Sequence, residues 1–373
     1  MSGSSDRDAN PDYWEVRSNL QHAKHGILGE YIKRWLPIMS SWAGTLCYVE
    51  THAGKGVHDT GEPGSPVVVL RAAMQHTRLD EILDHSSLRF AFIERDRGNL
   101  QTLEGQLALL GPFPDRMTLN YYPGDWEIRL PEALRDAAQI AGGQPPALLF
   151  VDPYSWGVSY PLLRQVMHTR GTEVLVLIIW RELDMAVARA RADRAAAATL
   201  DSMFPDGDWS TLSALQDVRE RVWAGVELVR QAVGATWATP ALMLGENRAV
   251  RSILLHLTNS PRGRDEMKAA MRKVCPSHDG DFIARRSDDP RQGRLFPDEL
   301  ASYHVESWVL TLLGQGPRRW QELLQLARSE KWLRTDINST VRDLCRRRVV
   351  EPSDYVGRLS AEANPLLTLS DST

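Results

Sequence analysis

The sequence predicts a doubly wound α/β sheet followed by a small C-terminal module of helices and a β-wing. Three observations carry that reading. Five short apolar runs recur between residues 45 and 180, each ending in polar or turn-forming residues. Helical patterns separate the early runs, and strands with few polar interruptions belong to sheets covered on both faces. Beyond a polar, turn-rich stretch over 276–300, three short helical patterns follow one another and lead into Val349-Val350.

The elements can be justified in order. Residues 1–12 are polar and expected to be disordered. Leu20, Lys24, Ile27, Leu28, Tyr31, Ile32, Trp35 and Leu36 recur at helical spacing. Pro37 is expected to disrupt that helix one turn before its natural end. The strands are Thr45–Glu50, Leu88–Glu94, Met117–Tyr122, Ala147–Asp152 and Val174–Trp180, with Ala241–Gly245 and Ser252–Leu257 as a closing pair. Helices are predicted over Ser65–Gln75, Asn99–Leu110, Pro131–Ala141 and Tyr160–His168. A long Ala- and Arg-rich helix near Leu183–Leu200 opens a helical insertion over about 183–235. The sheet domain thus covers 13–275 and the linker 276–300. Helical patterns at about 301–314, 318–329 and 335–347 give a winged helix-turn-helix over 301–360, and 361–373 is left as a tail.

Composition narrows the function classes. The chain is 43% hydrophobic and 25% charged, as a folded soluble protein is. Its longest strongly apolar run, Val174 to Trp180, is far short of the ~18–20 residues a membrane helix needs. The first residues lack the basic and apolar segments of a secretory signal, so a cytoplasmic location without membrane contact is expected. Cys47, Cys275 and Cys345 lie far apart and form no C-x-x-C pair, which leaves no support for a disulfide framework or a metal site. The net charge of −4 conceals an asymmetry. Residues 1–247 carry 23 Lys and Arg against 31 Asp and Glu, whereas residues 248–350 carry 20 against 13. The basic part reads either as uneven scatter over solvated helices or as a surface for phosphates.

The candidate chemistry lies at four successive strand ends. The first strand runs into Glu50-Thr51-His52-Ala53-Gly54-Lys55-Gly56, a small glycine loop that lets a nucleotide-like ligand approach the backbone. The dinucleotide fingerprint G-x-G-x-x-G fails, because the glycine after Gly56 is Gly61. The second strand closes on Glu94, placed to accept both hydroxyls of a ribose or to favour a helix N-terminus. After the third, Asp125 and Trp126 can hold an adenine, with Trp126 as core the alternative. The fourth strand ends in Asp152-Pro153-Tyr154. The Asp152 carboxylate and the Pro153 carbonyl can accept hydrogen bonds from an amino group, and Tyr154 can stack on a planar ring. A strand-ending turn is the plainer account.

Together these loops resemble class I S-adenosylmethionine-dependent methyltransferases, which have a Rossmann-like sheet. The resemblance implies that Glu50, His52, Ala53, Gly54 and Gly56 form the methionine-side loop. It implies Glu94 as the ribose acid, with Asp125 and Trp126 on the adenine side. Asp152-Pro153-Tyr154 is similar to the amino-methyltransferase signature Asp-Pro-Pro-Tyr, one proline short. The glycine loop also resembles that of the large-subunit ribosomal RNA adenine-N6 methyltransferase, which has an upstream Lys-His pair, here Lys24-His25. A closer resemblance, over most of the chain, is to the three-Cys-motif partner protein (TcmP) family. It rests on Lys24-His25-x-x-Leu28-x-x-Tyr31, Tyr48-Val49-Glu50-x-His52-Ala53-Gly54-x-Gly56, Gly64-Ser65-Pro66 and Phe150-Val151-Asp152-Pro153-Tyr154. Thr258-Asn259-Ser260-Pro261-Arg262-Gly263, Met267-Lys268 and Leu295-Phe296 continue it. His52, where Phe is expected, is the clearest departure. The family implies S-adenosyl-L-methionine as cofactor, a neighbouring three-Cys-motif protein of radical-S-adenosylmethionine type as partner, and a C-terminal winged helix.

Two functions compete at this level. In the first, the chain methylates an amino group on a nucleobase or related planar acceptor, with Asp152, Pro153 and Tyr154 as the acceptor site. Lys24 and His25 stand beside them, or are an exposed lysine and a core-edge histidine. In the second, the fold is catalytically inert and docks DNA or RNA, or a protein partner. Its basis is Arg318, Arg319, Trp320, Arg328, Lys331, Trp332, Arg334, Arg342, Arg346, Arg347 and Arg348, basic residues interleaved with Trp, although Trp320 with Leu323, Leu324 and Ala327 reads more readily as core than as contact surface.

Overall fold

The computed structural model describes residues 19–58, 61–245, 249–275, 282–285, 299–330 and 332–370. The start over 1–12, most of the linker over 276–300, Leu295-Phe296 and Lys331 lie outside them. Five strands, β1 (Thr45–Glu50), β2 (Ser87–Glu94), β3 (Met117–Pro123), β4 (Ala147–Val151) and β5 (Glu173–Ile178), run parallel. With β6 (Trp237–Leu244), β7 (Val250–Thr258) and β8 (Phe282–Arg285) they form one sheet in the order β3-β2-β1-β4-β5-β7-β6-β8. β7 is antiparallel to both β5 and β6. This is the expected doubly wound, Rossmann-like sheet of the class I methyltransferase type. Strand order reverses between β1 and β4, and ligands of such sheets bind in the crevice at that point.

Helix α1 (Asn19–Ser40) precedes the sheet and continues through Pro37. The expected disruption does not occur. Pro37 has no N–H for the Lys33 carbonyl, and His76 Nε2 lies 2.9 Å from that oxygen instead. Between β1 and β2 lie α2 (Ser65–Met74) and an unforeseen short helix, α3 (Leu79–His85). α4 (Arg97–Ala108) starts at an Asp96 cap, whose side chain accepts from Asn99 N at 2.7 Å. α5 (Trp126–Ala141) starts five residues before the predicted Pro131, because Asp125 caps it and Pro131 is tolerated inside. α6 (Tyr160–Met167) lies between β4 and β5.

The predicted fifth strand ran too far. Trp180 opens α7 (Trp180–Arg189), where it packs so closely on Gly225 that a Cβ there would meet its ring at 2.3 Å. A buried strand and the first turn of a buried helix are alike in apolar pattern. The single helix near Leu183–Leu200 is two, because Asp193 accepts from Ala195 N and Ala196 N and so begins α8 (Arg194–Met203) afresh. A 3₁₀ turn (Trp209–Ala214) and α9 (Val218–Val233) complete this insertion. α9 ends at Gly234 with φ 70°, a left-handed conformation that suits glycine.

The chain divides into two compact units, and the division falls after Glu266, within α10 (Pro261–Val274). The second unit contains α11 (Glu299–Gly314), β9 (Arg318–Arg319), α12 (Trp320–Leu326), α13 (Arg334–Arg346), β10 (Val350–Ser353) and β11 (Leu366–Leu369). Its sheet is antiparallel in the order β10-β11-β9. The presumed tail over 361–373 therefore supplies a central strand. Leu367 is fully buried among Val309, Trp320, Leu323, Ile337, Val341 and Leu344. Lys268 belongs to this unit and donates from Nζ to the carbonyls of Ala327, Arg328, Glu330 and Trp332.

Candidate active site

The carboxyl ends of β1 and β4 meet at the sheet's reversal point. Thr51 N donates to the Phe150 carbonyl at 3.0 Å, so the loop after β1 begins tied to β4. Gly54 and Gly56 have φ of 60° and 83°, which other residues rarely adopt. At Gly56 a Cβ would also lie 2.6 Å from Leu103 Cδ1 of α4. Gly64 N closes the following excursion with a 2.7 Å bond to the Gly56 carbonyl. Lys24, His25, His52, Ala53, Gly54, Gly56, Asp152 and Tyr154 of the sequence-derived set line one cleft here. Sequence reasoning missed Gln21 and His58, which line it too, and quoted Lys55 and Ser65 in motifs without giving them a site role. Helical spacing from Lys24 could have found Gln21. The His25–His58 stack, centroids 6.3 Å apart, follows only from the folded path.

Asp152 follows directly on β4. Its Oδ2 accepts from Lys24 Nζ, while its Oδ1 is buried and has no hydrogen-bond partner among the described residues. A buried oxygen of this kind is costly unless something donates to it. Lys24 is buried, so it is not the exposed lysine considered above, and His25 is buried beside it in sequence. Pro153 is buried, and Tyr154 presents half its surface to solvent. The arrangement is a fixed carboxylate with one open acceptor, next to an exposed aromatic ring.

The remaining residues support this cleft from outside it. Glu50 does not line it, contrary to expectation. It is fully buried, with Tyr48 Oη donating to Oε2 at 2.9 Å and Ser65 Oγ donating to Oε1. Burial pushes its carboxyl up to about 8, against the opposing pull of the Ser65 and Tyr48 hydrogen bonds. Glu94 accepts from Gly54 N at 2.8 Å and from Asp96 N at 2.9 Å, which latches the glycine loop to the end of β2. Asp125 is exposed and caps α5, accepting from Glu127 N at 2.9 Å. Trp126 is half-buried, its ring centroid 5.9 Å from that of His52.

A second buried cluster accounts for other motif residues. Glu173, fully buried at the start of β5, accepts from Tyr31 Oη and from Thr258 Oγ1 at 3.1 Å, and lies 3.0 Å from His256 Nε2. Gly263 packs against it so closely that a Cβ would sit 2.0 Å from Glu173 Oε1. The basic C-terminal residues are largely spoken for. Arg318 pairs with Glu322, Arg319 with Asp354, Arg346 with Asp343 and Arg347 with Glu306. Trp320 and Trp332 are buried and offer no stacking face.

Among the described residues no His, Cys, Asp or Glu cluster could hold a metal ion, and no helix is long and apolar enough to cross a membrane. No protein-family model matches the chain, and no curated protein does. Among solved structures, a Legionella pneumophila protein of the DUF519 family model is similar at 15% identity and TM-score 0.39, over 66% of this chain and 90% of that one. Human methyltransferase-like protein 13, solved in complex with SAH, is similar at 14% identity and TM-score 0.31, over 75% and 99%. The strand order and the crevice between β1 and β4 make the fold methyltransferase-like.

Proposed function

We propose that this chain is an S-adenosylmethionine-dependent methyltransferase acting on an amino group of a nucleobase or related planar acceptor. The observation that carries the reading is Asp152, with Oδ2 held by Lys24 and Oδ1 buried and unpartnered beside the glycine loop. The cradle fits the cofactor: two left-handed glycines leave the backbone open, and Glu94 holds the loop in place. When bound, that cofactor supplies an electrophilic methyl group on a sulfonium. The chain's own part is alignment. Asp152 Oδ1 accepts one N–H of the acceptor's amino group, and the Pro153 carbonyl accepts the other. Lys24 prevents Asp152 from turning away. Tyr154 stacks on the acceptor ring, and a base within a duplex would first be flipped out, at a cost of a few kcal/mol.

Membership of the TcmP family, a cytoplasmic location and work with a three-Cys-motif partner belong to the same proposal, on the motif residues quoted above. Calorimetry with S-adenosylmethionine, then label transfer to DNA, RNA and small-molecule pools with and without that partner, tests it. Asp152→Ala, checked for folding by its unfolding midpoint, should keep cofactor affinity within about threefold and lose about 100-fold or more in transfer. Unchanged transfer in that variant would remove Asp152 from the reaction.

A second reading, nucleic-acid docking by the C-terminal unit, has one observation in its favour. Thr335, Ser339, Arg342 and Arg346 form an exposed stripe along α13.

A further inference from the structure

Helix α1 is tied to the sheet at two heights. Near its start, Lys24 Nζ donates to Asp152, just past the carboxyl end of β4. Two turns on, Tyr31 Oη donates to Glu173 Oε2, at the amino end of β5, and lies 3.3 Å from the Gly263 carbonyl. Glu173 is a fixed point. Thr258 Oγ1 donates to its Oε1 at 3.1 Å, His256 Nε2 lies 3.0 Å from its Oε2, and Gly263 leaves no room for a Cβ beside it. The rings of Tyr31 and His256 also meet edge-on, with centroids 5.0 Å apart. All four side chains are buried.

The two anchors match in spacing. β4 and β5 pair with Leu148 opposite Glu173 and Val151 opposite Val176. Asp152, the next residue, therefore stands four residues further along than Glu173, about 13 Å in a strand. Lys24 and Tyr31 are seven residues apart, about 10.5 Å along a helix axis, and the flexible lysine stem spans the remainder. Ile27 and Leu28, between them, are fully buried, but apolar packing is non-directional and does not fix how far a helix has slid. A hydrogen bond to a buried carboxylate does.

We propose that Tyr31 and Glu173 are positioning residues for Lys24: the Glu173 cluster sets the height of α1 on the sheet and so places the lysine ammonium on Asp152. The consequence for methyl transfer rests on the methyltransferase reading; the placement of Lys24 does not. Asp152 keeps its orientation only while the ammonium stays within reach, so a helix free to slide loosens the carboxylate that faces the acceptor. Removing one hydrogen bond to a charged group shifts such a local equilibrium by about tenfold or more.

The test is amine labelling of the full-length chain with an acetylating reagent, read residue by residue by mass spectrometry. In the wild type Lys24 should react far more slowly than Lys33, whose side chain is half exposed on the same helix. Tyr31→Phe should raise the Lys24 rate about tenfold or more. Lys33, and alkylation of Cys47 buried in β1, should stay within about threefold of wild type. Arg34→Ala removes a partly exposed pair with Glu266 from the same helix and should leave Lys24 within about threefold. An unchanged Lys24 in Tyr31→Phe, a Cys47 rate that rises with it, or an equal rise in Arg34→Ala would overturn the proposal. Should Tyr31→Phe not fold, Thr258→Val, which takes the hydroxyl from Glu173 Oε1, is held to the same outcomes. In label transfer, Tyr31→Phe should lose about tenfold or more at S-adenosylmethionine affinity within about threefold, and nothing further in a Lys24→Gln background. An equal loss in that background overturns the route through Lys24. A wild type that neither binds S-adenosylmethionine nor transfers its methyl group removes the methyltransferase reading, and the labelling still decides the placement of Lys24.

Discussion

A buried carboxyl can brace a loop from beneath it, and Glu50 does this. It joins β1 to the start of α2 through Tyr48 and Ser65, and its carboxyl is raised from 4.5 to about 8 chiefly by burial. The sign of the linkage follows. The folded protein holds this proton where the unfolded chain has released it, so Glu50's contribution to stability is complete below about pH 4.5. It is lost as pH rises through 8. Glu50→Gln removes the titration and keeps a hydrogen-bonding amide. In urea unfolding at pH 5.5, 7 and 8.5, the variant should gain steadily on the wild type as pH rises. A constant difference between the two would locate the titration elsewhere. The sequence identified Glu50 as a residue of this loop but assigned it to the cofactor, because a strand-end acid gives no sign of which way it points.

At the scale of elements, the strands were legible because apolar runs bounded by turn residues are local signals. Thr45–Glu50 matches β1 residue for residue. The misread elements depended on information elsewhere. Pro131 was taken for a helix start, although the cap at Asp125 came first. Trp180 followed the pattern of β5 until its contact with Gly225 is known. The cleft shows the same divide. The glycine loop and Asp152-Pro153-Tyr154 could be read from spacing, whereas the Lys24–Asp152 pair joins residues 128 apart in sequence. Gly263 makes the contrast testable. Gly263→Ala drives a methyl group into the carboxylate that Tyr31, Thr258 and His256 surround, and should cost about 3 kcal/mol or more. Gly105→Ala, in α4 with no atom near the new Cβ, should be neutral or stabilise by up to about 1 kcal/mol. Urea midpoints measure both, and equal effects would mean that the core around Glu173 gives way easily.

At the scale of the whole molecule, the net charge of −4 divides between an acidic first part and a basic later one. Folding reduces what that division offers, since Arg318, Arg319 and Arg347 are paired within the C-terminal unit, whereas Arg346 stays largely exposed beside Asp343. If that unit grips nucleic acid, the exposed stripe on α13 is where it does so. Fluorescence anisotropy with labelled 20-base single strands and duplexes, from 50 to 300 mM salt, should then show affinity falling steeply with salt. Arg342→Ala combined with Arg346→Ala should reduce the log–log slope by about 2. No measurable affinity at 50 mM salt would end the nucleic-acid reading for this unit.

The reach of α1 also sets a timetable. Lys24 waits for Asp152, and Tyr31 waits for Glu173 and for the Gly263 carbonyl, partners 128, 142 and 232 residues further along. The helix is made before any of these partners, yet it cannot be locked in place until α10 has been synthesised. Contacts of such long sequence separation form late. Until then the nascent sheet carries an unpaired Asp152 and an open crevice, so the cleft is closed among the last events of folding.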